Sequence, residues 1–122
     1  MKKVKKKTPK FSVITVVKND KFKISNTIKS VLNQTYKNFE YIVVDGKSTD
    51  GTLRIISKYK KKINSLISRS DDGIYFAMNK GIKISKGEII VFINSGDLFS
   101  KNALKVVSNL FKKNKSFDFV FG

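Results

Sequence analysis

Three times in this chain a short apolar run breaks off into a tight polar segment holding both acid and glycine. Asp45-Gly46 closes the run over residues 39–45, Ser70-Asp71-Asp72-Gly73 follows residues 65–69, and Asn94-Ser95-Gly96-Asp97 follows residues 88–93. Runs this short, rich in β-branched residues and bounded by charge and glycine, read as strands buried on both faces. Between and after them apolar residues recur at helical spacing: Ile24, Ile28, Val31 and Leu32; then Leu53, Ile56 and Tyr59; then Ala77, Met78 and Ile82; then Leu104, Val107, Leu110 and Phe111. With a first strand over residues 11–17 and a fifth over residues 117–121, strand and helix alternate strictly. Such alternation predicts an α/β fold, a parallel sheet with helices on both faces. At the helix ends, Asn19 or Asp20 is expected to cap the first helix, Ser48, Thr49 or Asp50 the second, and Gly87 to stop the third.

The acids are unevenly placed. Asp20, Asp45, Asp50, Asp71, Asp72 and Asp97 all fall at or just after predicted strand ends, whereas the helices carry mostly lysine. In open parallel sheets ligands bind outside the carboxyl ends of the strands, so one sheet edge should form a carboxylate-lined cleft. The molecule around it is positive: 26 Lys and Arg against 9 Asp and Glu give a net charge of +17, a balance that favours anionic partners. Histidine and cysteine are both absent, which excludes Ser-His-Asp and Cys-His nucleophile systems and thiolate or histidine zinc sites. Carboxylates are left to do any acid-base or metal work, and oxygen ligands suit Mg²⁺ or Mn²⁺ shared with substrate phosphates. A nucleoside diphosphate would meet both the acids and the lysines. No G-x-x-x-x-G-K-[ST] loop and no G-x-G-x-x-G after the first strand occurs, which argues against a P-loop hydrolase or a dinucleotide dehydrogenase.

The 122 residues suffice for one domain. No apolar run approaches the roughly 18 residues of a membrane span. Residues 1–10 are expected to form a disordered basic arm, since Lys2 to Lys7 lead into Thr8-Pro9-Lys10 and not into an apolar signal core. A cytoplasmic location is expected, with contact between the arm and the anionic inner face of the membrane as a minority reading.

Five motifs, Ser12-Val-Ile-Thr-Val-Val-Lys-Asn19, Val31-Leu-Asn-Gln34, Tyr41-Ile-Val-Val-Asp45-Gly-Lys-Ser-Thr-Asp50-Gly-Thr52, Asp72-Gly-Ile-Tyr-Phe-Ala-Met-Asn-Lys-Gly81 and Phe92-Ile-Asn-Ser-Gly-Asp97, stand in one order and spacing. In these the chain resembles family 2 glycosyltransferases from Phe11 to its C-terminus, and is similar to bacterial enzymes of colanic acid and other exopolysaccharide synthesis. The resemblance implies a GT-A (Rossmann-like) fold and an inverting transfer from a nucleotide-diphosphate sugar to a saccharide or lipid-linked acceptor. It further implies that Val16, Asn19 and Asp45 border the base, that Asp72, Asn79 and Lys80 border the nucleotide and donor sugar, and that Asn94 and Asp97 occupy the D-x-D position for ribose and metal. Asp97 is then the charged candidate ligand for Mg²⁺ or Mn²⁺. Asn94 and Gly96 stand where many relatives carry Asp, Phe76 where the subgroup usually has Asp, and Lys47 where it usually has Gly. The family's catalytic base belongs to an acceptor half with no counterpart before Gly122. Residues 11–122 are therefore expected to be the donor-binding half, truncated after about the fifth strand, with no catalytic residue and negligible transfer alone.

Plainer roles compete at each position. Asp45 as a turn residue satisfying its own loop, Asp50 as a helix cap and Asp97 as a cap before the last helix are the structural alternatives. A basic nucleic-acid-binding or non-catalytic interaction module is the alternative function. Nucleic acid is not expected as a partner, because Arg54 and Arg69 are the only arginines and Phe92, Phe119 and Phe121 sit at strand positions, with no exposed stacking platform.

Overall fold

The computed structural model describes residues 10–70, 73–113 and 119–121. Its strands are β1 (Phe11–Val17), β2 (Phe39–Asp45), β3 (Ser65–Ser68), β4 (Ile89–Phe92) and β5 (Phe119–Phe121), and its helices are α1 (Ile24–Leu32), α2 (Thr52–Ser57), α3 (Ile74–Ile84) and α4 (Ala103–Lys113). They form one parallel sheet in the order β3-β2-β1-β4-β5, with Val17 in register with Asp45 and Phe11 with Ile89. β1 lies at the centre and every one of its residues is buried.

Two apolar layers sandwich the sheet. On one face Phe11, Val13, Val17, Tyr41 and Val43 pack against Ile24, Ile28 and Val31 of α1, Ile56 of α2 and Leu104 of α4. On the other, Ile14, Val16, Ile42, Val44 and Phe92 pack against Ala77 of α3, with Met78 and Ile82 at the margin. Topology explains why α3 lies opposite α1 and α2. The connections from β1 to β2 and from β2 to β3 step one way across the sheet, whereas that from β3 to β4 steps back; right-handed crossovers must then lie on opposite faces. The order reverses between β1 and β4, and that reversal opens a crevice at the strands' carboxyl ends.

Several local features depart from the sequence-based expectation. The N-cap of α1 is Lys23, and Asp20 contributes its carbonyl, which accepts the Lys23 and Ile24 N–H groups. The side chains of Asn19 and Asp20 are drawn into neighbouring loops instead. α2 ends at Ser57, and residues 58–62 continue as turns, so Tyr59 packs on the core from outside the helix. α3 ends at Ile84, and its C-cap Ser85 has an extended backbone. Gly87 has another reason to be there: a Cβ at that position would lie 2.5 Å from both Phe11 C and Ser12 N, so glycine allows the chain to enter β4 against β1. Leu110 is 48% exposed, leaving Leu104, Val107 and Phe111 to face the core.

Gln34, expected in a polar connection, is fully buried. Its amide donates to Ser30 O and Ser100 O, and its Oε1 accepts the Leu104 N–H at 3.0 Å. A residue that follows α1 thus supplies an acceptor to the first turn of α4, while Asn102 at the start of that helix accepts from the Thr35 hydroxyl. Lys10 enters the sheet, its N–H donating to Asn38 O and its ammonium lying 3.4 Å from Glu88. The rest of the expected arm, residues 1–9, and both Asp71 and Asp72 lie outside the described residues.

Candidate functional site

At the carboxyl edge, the segments after β1, β2 and β4 meet at the crevice and are tied together by hydrogen bonds. Asn19 adopts a left-handed backbone, with φ of 51°, a conformation that asparagine tolerates better than most residues. Its N–H donates to Ser48 Oγ at 2.8 Å and its Oδ1 accepts the Thr49 N–H at 2.7 Å. Asp20 N–H donates to Thr52 Oγ1, and Lys21 N–H donates to Asp50. The loop after β1 is therefore zipped along the loop after β2.

Asp45 sits at the base of this zipper. Its carboxylate is fully buried and accepts three hydrogen bonds, from Ser48 N–H at 3.1 Å, from Ser48 Oγ and from Ser68 Oγ at 2.8 Å. Ser48 Oγ accepts from Asn19 and donates to Asp45, so it links two of the base-site candidates. A carboxylate offers about four lone-pair directions, which leaves one after these three. Lys47, in the same loop, has φ of 59°, a left-handed conformation that favours glycine.

Asp50 does the capping work expected of it, one residue ahead of the N-cap Gly51: its Oδ1 accepts both the Thr52 N–H and the Thr52 hydroxyl. The Thr52 hydroxyl is the main cause holding the Asp50 carboxyl below its ordinary range, with the Thr52 and Lys21 backbone N–H groups adding to it against some desolvation. A folded-state pKa below the unfolded one gives stability that is complete above the unfolded value and is lost as pH falls through the folded one. The difference in Tm between the wild type and Asp50→Ala is accordingly expected to shrink as pH is lowered from about 5 to about 2. A difference that stays constant over that range would deny the carboxylate this role.

The segment after β4 is held from α1. Thr27, fully buried on the apolar face of that helix, accepts the Gly96 N–H at 2.9 Å and donates to the Asp97 carbonyl at 2.9 Å. Ser95 Oγ donates to Asp20 Oδ2 at 2.7 Å, joining the third loop to the first. Asn94 and Asp97 are exposed, and Asp97 is far in sequence from α4, so its side chain is no cap for that helix.

Opposite, the start of α3 forms a wall. Val16, Val17, Lys18 and Gly46 enclose a cleft of about 270 Å³ with Gly73, Ile74 and Ala77. Asn79 is exposed on α3, and Lys80 Nζ lies 3.4 Å from Ser70 O, tethering the helix to the segment that follows β3. The structure thus brings Val16, Asn19 and Asp45 to one side of the crevice and sets Asn94 and Asp97 beside them through Asp20. Sequence reasoning missed Thr27, Ser48 and Ser68 as members of this edge. Ser48 carried a signal, since an Asp at the start of a tight loop commonly accepts hydrogen bonds from the backbone and hydroxyls a few residues on.

Among the described residues no group of three acids lies close enough to hold a metal ion. One exposed carboxylate, Asp97, with the Asn94 and Ser95 side-chain oxygens near it in the chain, suits a cation such as Mg²⁺ that keeps its waters and takes remaining ligands from substrate phosphates. Among the described residues no helix is long and apolar enough to cross a membrane.

Glycosyl transferase family 2 matches residues 12–121. TarP of Staphylococcus aureus strain N315, a poly(ribitol-phosphate) beta-N-acetylglucosaminyltransferase, is 37% identical over 118 residues, covering 93% of this chain and 36% of TarP. The crystal structure of S. aureus TarS 1-349 in complex with UDP-GlcNAc superposes with a TM-score of 0.80 at 32% identity, over 87% of this chain and 32% of that one. Mannosyltransferase PcManGT from Pyrobaculum calidifontis, solved with GDP-Man and Mn²⁺, shares the fold at a TM-score of 0.78 and 23% identity, over 86% of this chain and 33% of that one. The chain spans 18% to 40% of the length of three curated relatives it matches.

Proposed function

Because this chain belongs to glycosyl transferase family 2, with a GT-A-like parallel sheet, we propose that it forms the nucleotide-sugar-binding region of an inverting glycosyltransferase of cell-surface polysaccharide synthesis. Exopolysaccharides and wall polymers are the products in view. The donor is a nucleoside diphosphate sugar, and UDP-GlcNAc is the first to try because TarS has been solved with it. The acceptor is a saccharide, lipid-linked or polyol-phosphate chain, in line with the poly(ribitol-phosphate) of TarP. The work belongs to the cytoplasm, at the inner face of the membrane.

The carrying observation is the hydrogen-bonded platform of three loops at the reversal of strand order, beside the cleft floored by Val16. In this reading the base lies by Val16 and Asn19, and the buried Asp45 carboxylate beneath them holds the Ser48 loop that frames the base. Asp72, Asn79 and Lys80 border the diphosphate and donor sugar. Asn94 binds ribose, and Asp97 holds Mg²⁺ or Mn²⁺ on the diphosphate, where the cation neutralises charge on the leaving group. No residue of this chain is assigned as the catalytic base.

Calorimetry with UDP and UDP-GlcNAc, with and without Mn²⁺, tests the assignment. Saturable binding strengthened by Mn²⁺ is expected, and Asp97→Asn should remove the metal's contribution while leaving metal-free binding intact. Tight, salt-sensitive binding of DNA with no response to either nucleotide would refute the proposal in favour of a nucleic-acid module.

A further inference from the structure

In a parallel sheet with alternating helices, every strand begins and every helix ends at the same edge, opposite the ligand crevice. Here that edge collects lysines beyond what helix ends require. Lys60, Lys61 and Lys62 follow α2, Lys83 and Lys86 flank the end of α3, and Lys112 stands in the last turn of α4; all six are exposed. The acids described at this edge are already engaged. Glu88 pairs with Lys10, and Glu40 is 8% exposed, with its Oε2 taken by the Ser12 hydroxyl and the Lys86 N–H. The carboxylates Asp20, Asp45, Asp50 and Asp97 lie at the other edge, so the charge is polarised along the strand direction.

From this polarity we propose that the strand-start edge of the folded domain is a docking surface for an anionic lipid bilayer. A bilayer fits better than nucleic acid. Lysine ammoniums are compact point charges that meet a diffuse field of headgroups, whereas nucleic-acid grooves are commonly read by arginine forks and stacked aromatics. The exposed large apolar residues near this edge are the aliphatic Ile84 and Leu110, at the ends of α3 and α4, while the exposed aromatics Phe22, Tyr75 and Phe76 lie toward the opposite end. Aliphatic side chains among lysines suit the boundary of headgroup and acyl chain. Docked this way, the protein turns its nucleotide crevice away from the surface and toward the solution that supplies the donor.

Co-sedimentation of the 122-residue protein with vesicles decides the matter. Strong partition onto vesicles holding about 30 mol% phosphatidylglycerol is expected, with none onto pure phosphatidylcholine, and it should fall steeply with salt. Replacing Lys60, Lys61 and Lys62 together by glutamine should weaken partition by more than about tenfold, whereas the same change at Lys18, Lys47 and Lys105 should alter it by less than about twofold. Equal losses from both triple variants would show a non-specific charge effect and overturn the proposal. So would loss of all partition on changing Lys2, Lys3, Lys5, Lys6 and Lys7 to glutamine with no effect of the Lys60 to Lys62 set. A preference for double-stranded DNA over vesicles, abolished by the Lys60 to Lys62 change, would assign the edge to nucleic acid instead. None of these readouts involves nucleotide, so they stand or fall apart from the donor-binding proposal.

Discussion

Replacing Asp45 by alanine is expected to abolish nucleotide binding and to lower folding stability by about 2–4 kcal/mol. The side chain is fully buried, and three donors converge on it from the loop after β2 and from the last residue of β3. Alanine leaves the Ser48 hydroxyl, its N–H and the Ser68 hydroxyl without their shared acceptor, and an orphaned buried donor costs more than a typical hydrogen bond gains. The effect should spread, because Ser48 also receives the Asn19 N–H. Urea denaturation reads the stability loss as a lower midpoint at unchanged slope. Binding is separated from folding by Asp45→Asn, which keeps an acceptor of the same shape but removes the charge and one acceptor oxygen. That variant should retain more of the stability and still bind UDP at least about tenfold more weakly, a loss near 1.4 kcal/mol. An alanine variant with the wild-type midpoint would contradict the account of the buried carboxylate.

The second large effect is expected far from the crevice. Gly87→Ala should cost about 3 kcal/mol or more, because the new Cβ would lie 2.5 Å from two backbone atoms of β1, which cannot rotate away as a side chain does. The neighbouring hydrogen bonds raise the penalty. Gly87 N–H donates to Ser12 Oγ, which donates to Glu40, and Glu40 also accepts the Lys86 N–H. Moving Gly87 aside to seat a methyl pulls donors from a buried carboxylate. Thermal unfolding should show a Tm lower by roughly 10 °C. Gly51→Ala is the instructive contrast: nothing lies within 4 Å of its Cβ, but φ of 97° disfavours any side chain, so its cost is conformational and nearer 1 kcal/mol. Equal losses at the two positions would show that crowding against β1 is not what Gly87 avoids.

Most of the architecture was legible because it rests on local periodicity. β1 and β2 end where the apolar runs end, and α3 begins beside Gly73 as its spacing implied. Charge bias placed the aspartates at one edge, and among the described residues Asp20, Asp45, Asp50 and Asp97 stand there. The failures have a common cause, which is that a residue's partner lies elsewhere in the chain. Asn19 and Asp20 have the composition of caps, yet their side chains answer to Thr49 and Ser95. Gly87 looks like a helix stop, but what it avoids is β1. Thr27 falls inside an apolar stripe, where only the nearby backbone of Gly96 and Asp97 shows why a hydroxyl is buried. Leu110 fits helical spacing for burial but lies at the margin of the face that α4 turns to the core.

The amide of Gln34 has a bearing on the order in which the chain assembles. It supplies an acceptor to a helix turn 70 positions later in the sequence. Helix nucleation is costly and this turn takes one acceptor from a distant residue, so α4 gains less by forming before α1 and its following turn are in place. During synthesis, the β1-α1-β2 unit emerges first and presents this acceptor before Leu104 has left the ribosome. The last helix then condenses onto that template, and until it does the Gln34 amide keeps its bond to Ser30 O while its Oε1 waits for the Leu104 N–H.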